Sequence, residues 1–236
     1  MKILAIDLSS PSGSIALLED GAIAGEYSSP AAVVHSTWLP GVIRDFLEPL
    51  GRTLNDIEIF ATTAGPGSFT GTRVAISTVK GLAWGLGRMV YGASTLKAIA
   101  HNVPVVVGVD GVVCAVLDAR KGEIYAALYR RSGSGGGLET LMEECVLTPA
   151  ALFGELGLLK AAPVVFTGDG VKVCTVEALL AVELATTAPE ALWTVKASVV
   201  ARMAHDDIEG VVAPEFLSPV YLRKPGAVFK KPGKAK

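Results

Sequence analysis

The chain opens on an apolar run, "KILAIDLSS", that ends in Asp7 and two serines, the pattern of a buried strand reaching a polar turn. "GSIALLED" and "AIAGEYSS" follow, separated by Asp20-Gly21, a strong signal for a tight hairpin. Three strands joined by tight turns are therefore predicted. In "HSTWLPGVIRDFLEPLG", Leu39, Val42, Ile43, Phe46, Leu47 and Leu50 recur at helical spacing, with Arg44, Asp45 and Glu48 between them. Ser36 or Thr37 is placed to cap this helix, Pro40 is tolerated in its first turn, and Gly51 ends it. "DIEIFATT" predicts a fourth strand, and a glycine-rich loop then leads into a second helix over about residues 70–86.

"MVYGAS" and "STLKAIAHN" predict a further strand and helix. A fresh set of strands is expected from Pro104: "VPVVVGV", "GVVCAVLDAR" and "GEIYAALYRR", the last two joined by a turn at Arg120-Lys121-Gly122. "SGSGGG" reads as a loop tip. "TPAALFGELG", "VVFTGDG", "TVEALLAVEL" and "WTVKASVVARMAHD" continue the alternation of helix and strand. An apolar strand ends in aspartate twice, at Asp7 and at Asp118. Two similar α/β lobes are predicted, residues 1–103 and 104–223, followed by a tail at 224–236.

With 236 residues, 50% hydrophobic and 19% charged, the chain has material for an ample core. No apolar run reaches the ~18 residues of a membrane span, so no membrane contact is expected. The few residues before Asp7 are too short for a signal peptide. Cys114, Cys145 and Cys174 are odd in number and far apart, which points to thiols in a reducing cytoplasm rather than a disulfide frame or a zinc site. The net charge of −2 is unevenly placed. The tail holds five lysines and no acid, leaving 16 basic against 23 acidic residues in a body near −7. An acidic body argues against a free-standing nucleic-acid binder, and the tail reads as a solvated, disordered extension.

The stretch "TTAGPGSFTGTR" at 62–73 has the look of a phosphate loop, but neither familiar cradle fits it. Gly71 is followed by Thr72 and Arg73 where a P-loop needs lysine, and Gly65, Gly67 and Gly71 are one residue too widely spaced for a dinucleotide fingerprint. The alternative is a helix start, with Ser68 or Thr70 as cap and the glycines allowing a tight turn and close approach. Beyond it, Arg73, Ser77, Gly81 and Gly85 share one i, i+4 row. Two glycines inside a helix cost roughly 1 kcal/mol each against alanine, a loss that close packing on another helix can offset. Ala75, Val79, Leu82 and Leu86 form a second apolar side, so this helix is expected to be covered on both.

The segment "AGPGSFTGTRVAISTVKGLA" resembles the G-P-G-S-F-T-G-x-R signature of the TsaB family, also called YeaZ. The resemblance extends to "ILAIDLSSPSGSIAL", "HSTWLPGVI", "VYGASTLKAIA", "LDARKGEIYAALY", "FTGDG" and "PVYLR". It implies a two-lobed actin-like fold of the sugar kinase and heat-shock ATPase type. It also implies a role in making threonylcarbamoyladenosine in transfer RNA, at the adenosine next to the anticodon. Another enzyme makes threonylcarbamoyl-adenylate, and the paralogue TsaD transfers the group to the base. By this resemblance the chain is a non-catalytic subunit that dimerises with TsaD through helices of the first lobe. A small ATPase, TsaE, joins the assembly, transfer RNA is met through the complex, and the free chain forms homodimers on the same surface. The interface residues expected on this basis are Leu39, Ile43, Phe46 and Leu47 of the first helix, and Phe69, Arg73, Ser77, Gly81 and Gly85 of the second.

The residues themselves offer little catalytic chemistry. TsaD-like proteins bind metal through a His-x-x-x-His pair on one helical face, whereas this chain has only His35, His101 and His205, and Leu39 stands four residues after His35. No metal and no cofactor are expected. In "DLSSPSGS", serine and Pro11 stand where actin-like ATPases use glycine turns. Asp7, Ser9 and Ser10 are therefore read as a vestigial phosphate turn ordered by Asp7. No G-x-S-x-G elbow is present. Asp118, Arg120 and Glu123 are expected to hold a hairpin turn or an interface. The competing readings are a glycoprotease-like metallopeptidase and an actin-like ATPase.

Overall fold

The computed structural model describes residues 1–10, 12–29, 39–104, 111–131, 137–157, 163–174 and 184–223. The three opening strands are β1 (Lys2–Asp7), β2 (Gly13–Glu19) and β3 (Ala22–Ser29). Asp20 and Gly21 both take positive φ, 47° and 82°, as a two-residue hairpin turn requires. β4 (Ile59–Gly65) and β5 (Met89–Ser94) then pair in parallel, giving a sheet in the order β3-β2-β1-β4-β5. The second sheet contains β6 (Gly111–Arg120), β7 (Glu123–Arg131), β8 (Leu138–Leu147), β9 (Val164–Thr167) and β10 (Ala185–Thr187). Its order, β8-β7-β6-β9-β10, repeats that of the first, with the same antiparallel hairpins on one side of the central strand and parallel strands on the other. Two α/β lobes with the same strand order are thus present.

The continuous apolar character of β1 follows from its central place. Ile3 and Ala5 face one layer of helices, Leu4 and Ile6 the other, so neither face meets water. Helices α1 (Leu39–Leu47) and α2 (Phe69–Leu86) cover the second of these faces. In the other lobe α4 (Pro149–Leu156) covers one face of the sheet. Helix α3 (Thr95–His101) lies between the lobes: Ala98 and Ile99 enter the core of the first, Leu96 and Ala100 that of the second.

The lobe boundary predicted at residue 103 needs correction, because residues 104–223 do not close on themselves. Helix α5 (Ala197–Asp206) packs Ala197, Val200, Ala201 and Ala204 onto the first sheet. Val212 then bridges to Val90, Leu217 enters the first core, and the Val220 amide donates to Ala64 O at 2.8 Å. The small side chains of α5 permit close seating on the sheet face that α1 and α2 leave open. Periodicity reveals that apolar stripe but not the sheet it belongs to.

β8 and β10 were not among the predicted strands. β8 is a half-exposed strand at the sheet edge carrying Glu139, Glu143 and Glu144, so its apolar alternation is weak. The expected caps Ser36 and Thr37, most of "VPVVVGV", most of "TVEALLAVEL" and the basic tail lie outside the described residues. Among the described residues, no helix is long and apolar enough to cross a membrane.

Candidate partner interface and interlobe cleft

β1 delivers Asp7 to the floor between the lobes, where it is fully buried. Its Oδ1 accepts from Thr63 Oγ1 (2.6 Å), Ser9 Oγ (2.7 Å) and the Ser9 amide (3.2 Å), while Oδ2 has no partner. Burial pushes the carboxyl up from its ordinary range, and the bonds from Thr63 and Ser9 offset part of that rise. Because the folded pKa is raised, stability is greatest when Asp7 is protonated and falls as pH rises through that value. Asp7→Asn keeps the oxygen that accepts all three bonds and removes the buried charge. It is expected to raise the melting temperature at pH 8 by about 3 °C, corresponding to about 1 kcal/mol, with the gain shrinking toward pH 4. Thermal melts of both proteins across that range check this. A lower melting temperature for the variant at every pH would refute the assignment.

The glycine loop is packed against this same turn. The Ser68 amide donates to Ser9 O at 2.8 Å, and Ser68 Oγ accepts from the Gly71 amide at 3.2 Å, so Ser68 rather than Thr70 caps α2. A Cβ on Gly67 would lie 2.7 Å from Ser9 O, and one on Gly71 only 1.8 Å from Leu8 O. The loop glycines therefore let the start of α2 sit directly on the chain after β1. Backbone oxygens meet the helix start where a phosphate cradle would need open space, which favours the helix-start reading. The cleft between the lobes, of about 670 Å³, is lined by Ser9, Ser68, Thr95, Asp118, Asp169 and Trp193 among others.

Across the cleft, Asp118 ties its own hairpin. Its carboxylate accepts from the Arg120 amide (2.7 Å) and Arg120 Nη1 (3.1 Å), which holds the turn where Arg120, Lys121 and Gly122 all take positive φ. The C-terminal segment returns here: Arg223 pairs with Glu123 and also donates to Arg120 O at 3.3 Å. Two residues earlier, the Tyr221 hydroxyl accepts from Arg73 Nε at 2.7 Å. Three segments far apart in sequence, the glycine loop, the Asp118 hairpin and residues 219–223, thus meet at one edge of the cleft.

Among the described residues the outer face of α2 is left open. Phe69 and Trp84 are 59% and 60% exposed, and Arg73, Ser77, Gly81 and Gly85 on the same side are exposed as well. A Cβ on Gly81 or Gly85 would find nothing within 4 Å. The inner face, with Ala75, Ile76, Val79 and Ala83, is buried in the lobe's core.

The comparisons with known proteins bear on this geometry. A family model described as TsaD, tRNA N6-adenosine threonylcarbamoyltransferase, matches residues 28–228. Relatives include the tRNA threonylcarbamoyladenosine biosynthesis protein TsaB of Escherichia coli (strain K12), 38% identical over 63% of each chain. The TsaB of Bacillus subtilis (strain 168) is 30% identical over 71% of each. The chain thus spans just under two thirds of the E. coli relative's length. Among solved structures, YeaZ from Pseudomonas aeruginosa superposes with a TM-score of 0.75 at 28% identity, covering 94% of this chain and 99% of that one.

The chain belongs to the TsaB (YeaZ) family.

In this TsaB-family chain the expected interface residues part into two groups. Leu39, Ile43 and Leu47 are 3%, 1% and 1% exposed, and Phe46 is half-buried against the same core. The apolar stripe of α1 closes the lobe's own interior, which corrects its expected place on the outer surface. Phe69, Arg73, Ser77, Gly81 and Gly85 remain available on α2. The histidines do not converge: His101 ends α3 and is held near pKa 4 by burial, with Arg131 and Lys97 adding to that, while Nδ1 of His205 on α5 lies 3.0 Å from Asp206 Oδ1. His35 and Pro11 lie outside the described residues. Among the described residues, no group of three or more His, Cys, Asp or Glu is placed to hold a metal ion. Tyr125, Tyr221 and Trp84 were not singled out from the sequence. No periodicity links Tyr221 to Arg73, and the only signal was the "PVYLR" resemblance.

Proposed function

We propose that this chain serves threonylcarbamoyladenosine biosynthesis as a non-catalytic subunit. It acts in the cytoplasm by dimerising with and activating a TsaD-like catalytic paralogue that modifies the adenosine next to the anticodon. A TsaE-like ATPase completes the assembly, transfer RNA is engaged through the complex, and the free chain pairs with itself through the same face. The observation that carries this reading is the open face of α2: an 18-residue helix on which Phe69, Trp84, Gly81 and Gly85 are exposed among the described residues. The names of the E. coli and B. subtilis relatives supply the pathway. Three separated histidines do not supply the paired imidazoles of a metallopeptidase.

The test is threonylcarbamoyladenosine formation in unmodified transfer RNA with the purified pathway proteins, with and without this chain. Product is expected only when both this chain and the TsaD-like subunit are present. Full product without this chain would overturn the activating role, and product without the TsaD-like subunit would overturn the non-catalytic one.

A further inference from the structure

Beside the first turn of α2 lies a second cavity, of about 370 Å³, walled by Pro66, Phe69, Thr72, Arg73, Tyr125 and Tyr221 among others. Two rings hold the Arg73 guanidinium: it lies 3.8 Å from the Phe69 ring centre and 5.5 Å from that of Tyr221, and its Nε is bonded to the Tyr221 hydroxyl. Its two amino groups have no carboxylate and no carbonyl partner among the described residues. A guanidinium fixed between two rings, with both amino groups free, presents the fork that a carboxylate fits. The neighbouring Arg223 is already paired with Glu123.

We propose that this cavity receives one carboxylate side chain, Asp or Glu, from the partner subunit, held by the two Arg73 amino groups. This rests on the reading of α2 as the face that meets the catalytic paralogue. A single planar carboxylate matches the two parallel guanidinium amines left free once Nε is bonded to Tyr221. A phosphate dianion would leave its second charge against apolar walls and near Glu123. The charge of α2 points away from a second copy as occupant of this cavity: "FTGTRVAISTVKGLAWGL" carries Arg73 and Lys80 and no acid, so the α2 of a second copy has no carboxylate to place there.

The test titrates the full chain with the purified TsaD-like subunit at low and high salt, using Arg73→Gln, Arg73→Lys and Gly81→Trp. Arg73 is exposed, so its variants are expected to keep the melting temperature of the parent. Arg73→Gln is expected to weaken the heterodimer at least about tenfold and to flatten its salt dependence. Arg73→Lys restores only part of that affinity because a point charge lacks the fork. Unchanged affinity for Arg73→Gln, together with loss for Gly81→Trp, overturns the cavity's role and leaves the α2 interface standing. No complex with the parent chain overturns the interface itself. Weakening of the homodimer alone assigns the cavity to a second copy and overturns the proposal. So does displacement of the partner by inorganic phosphate or AMP from the parent chain but not from Arg73→Gln, which would mark a small-anion site.

Discussion

Gly71→Ala lowers the melting temperature by about 10 °C, or prevents folding. The added Cβ would stand 1.8 Å from Leu8 O, a backbone atom anchored in the turn after β1. Neither side can yield cheaply. Leu8 follows the central strand of the first sheet, and α2 is fixed by its buried face of Ala75, Ile76, Val79 and Ala83. Overpacking of this kind costs about 3 kcal/mol, and in a chain of this size each kcal/mol shifts the midpoint by about 2–4 °C. Gly81→Ala, ten residues along the same helix, is expected to do the opposite. It has open space around its Cβ position and gains up to about 1 kcal/mol from helix propensity. Thermal unfolding of the two variants side by side measures both. Equal midpoints would mean that the helix start does not bear on the turn as described.

Gly81→Trp weakens association with the TsaD-like subunit by about 100-fold or more, while the free chain keeps its melting temperature. The indole enters open space in the free chain, since among the described residues no atom outside the helix's own backbone lies within 4 Å of the Cβ position. A partner helix seated on the row of Arg73, Ser77, Gly81 and Gly85 would be pushed outward from the 8–10 Å separation of packed helices. Phe69 and Trp84, which bound the row, would then lose contact together, and a 100-fold loss is about 2.8 kcal/mol. Titration of the purified proteins measures it, and threonylcarbamoyladenosine formation is expected to fall in parallel. Affinity equal to that of the parent would remove this row from the interface and with it the main support for the proposed function.

The unequal legibility of α1 and α2 has a physical origin. Both show apolar positions at helical spacing. On α1 the stripe of Leu39, Ile43 and Leu47 fits a core face as well as a partner face, and only the fold assigns it inward. On α2 the glycine row is ambiguous in the opposite sense. Glycine serves close approach wherever it stands, yet Gly71 lies against Leu8 and Gly81 against nothing. Asp7 and Asp118 look alike as strand-end acids, but one is sealed among Thr63 and Ser9 while the other holds a turn at the surface through Arg120. That difference comes from what each lobe packs over its hairpin.

Local sequence was enough for the elements whose chemistry is local: the Asp20-Gly21 hairpin, the α2 span to within one residue, and the duplicated apolar strands that end in aspartate, while the cap of α2 was narrowed to Ser68 or Thr70. Its motifs also sufficed for the family, because the glycine signature is specific. Tertiary structure alone decided which sheet α5 covers, which face of α2 stays open, and that Tyr221 and Arg223 close on Arg73 and Glu123. The seating of α5 and the closures of Tyr221 and Arg223 depend on contacts between residues more than 90 positions apart in sequence, and hydrophobic periodicity records that a face must be covered without recording by what.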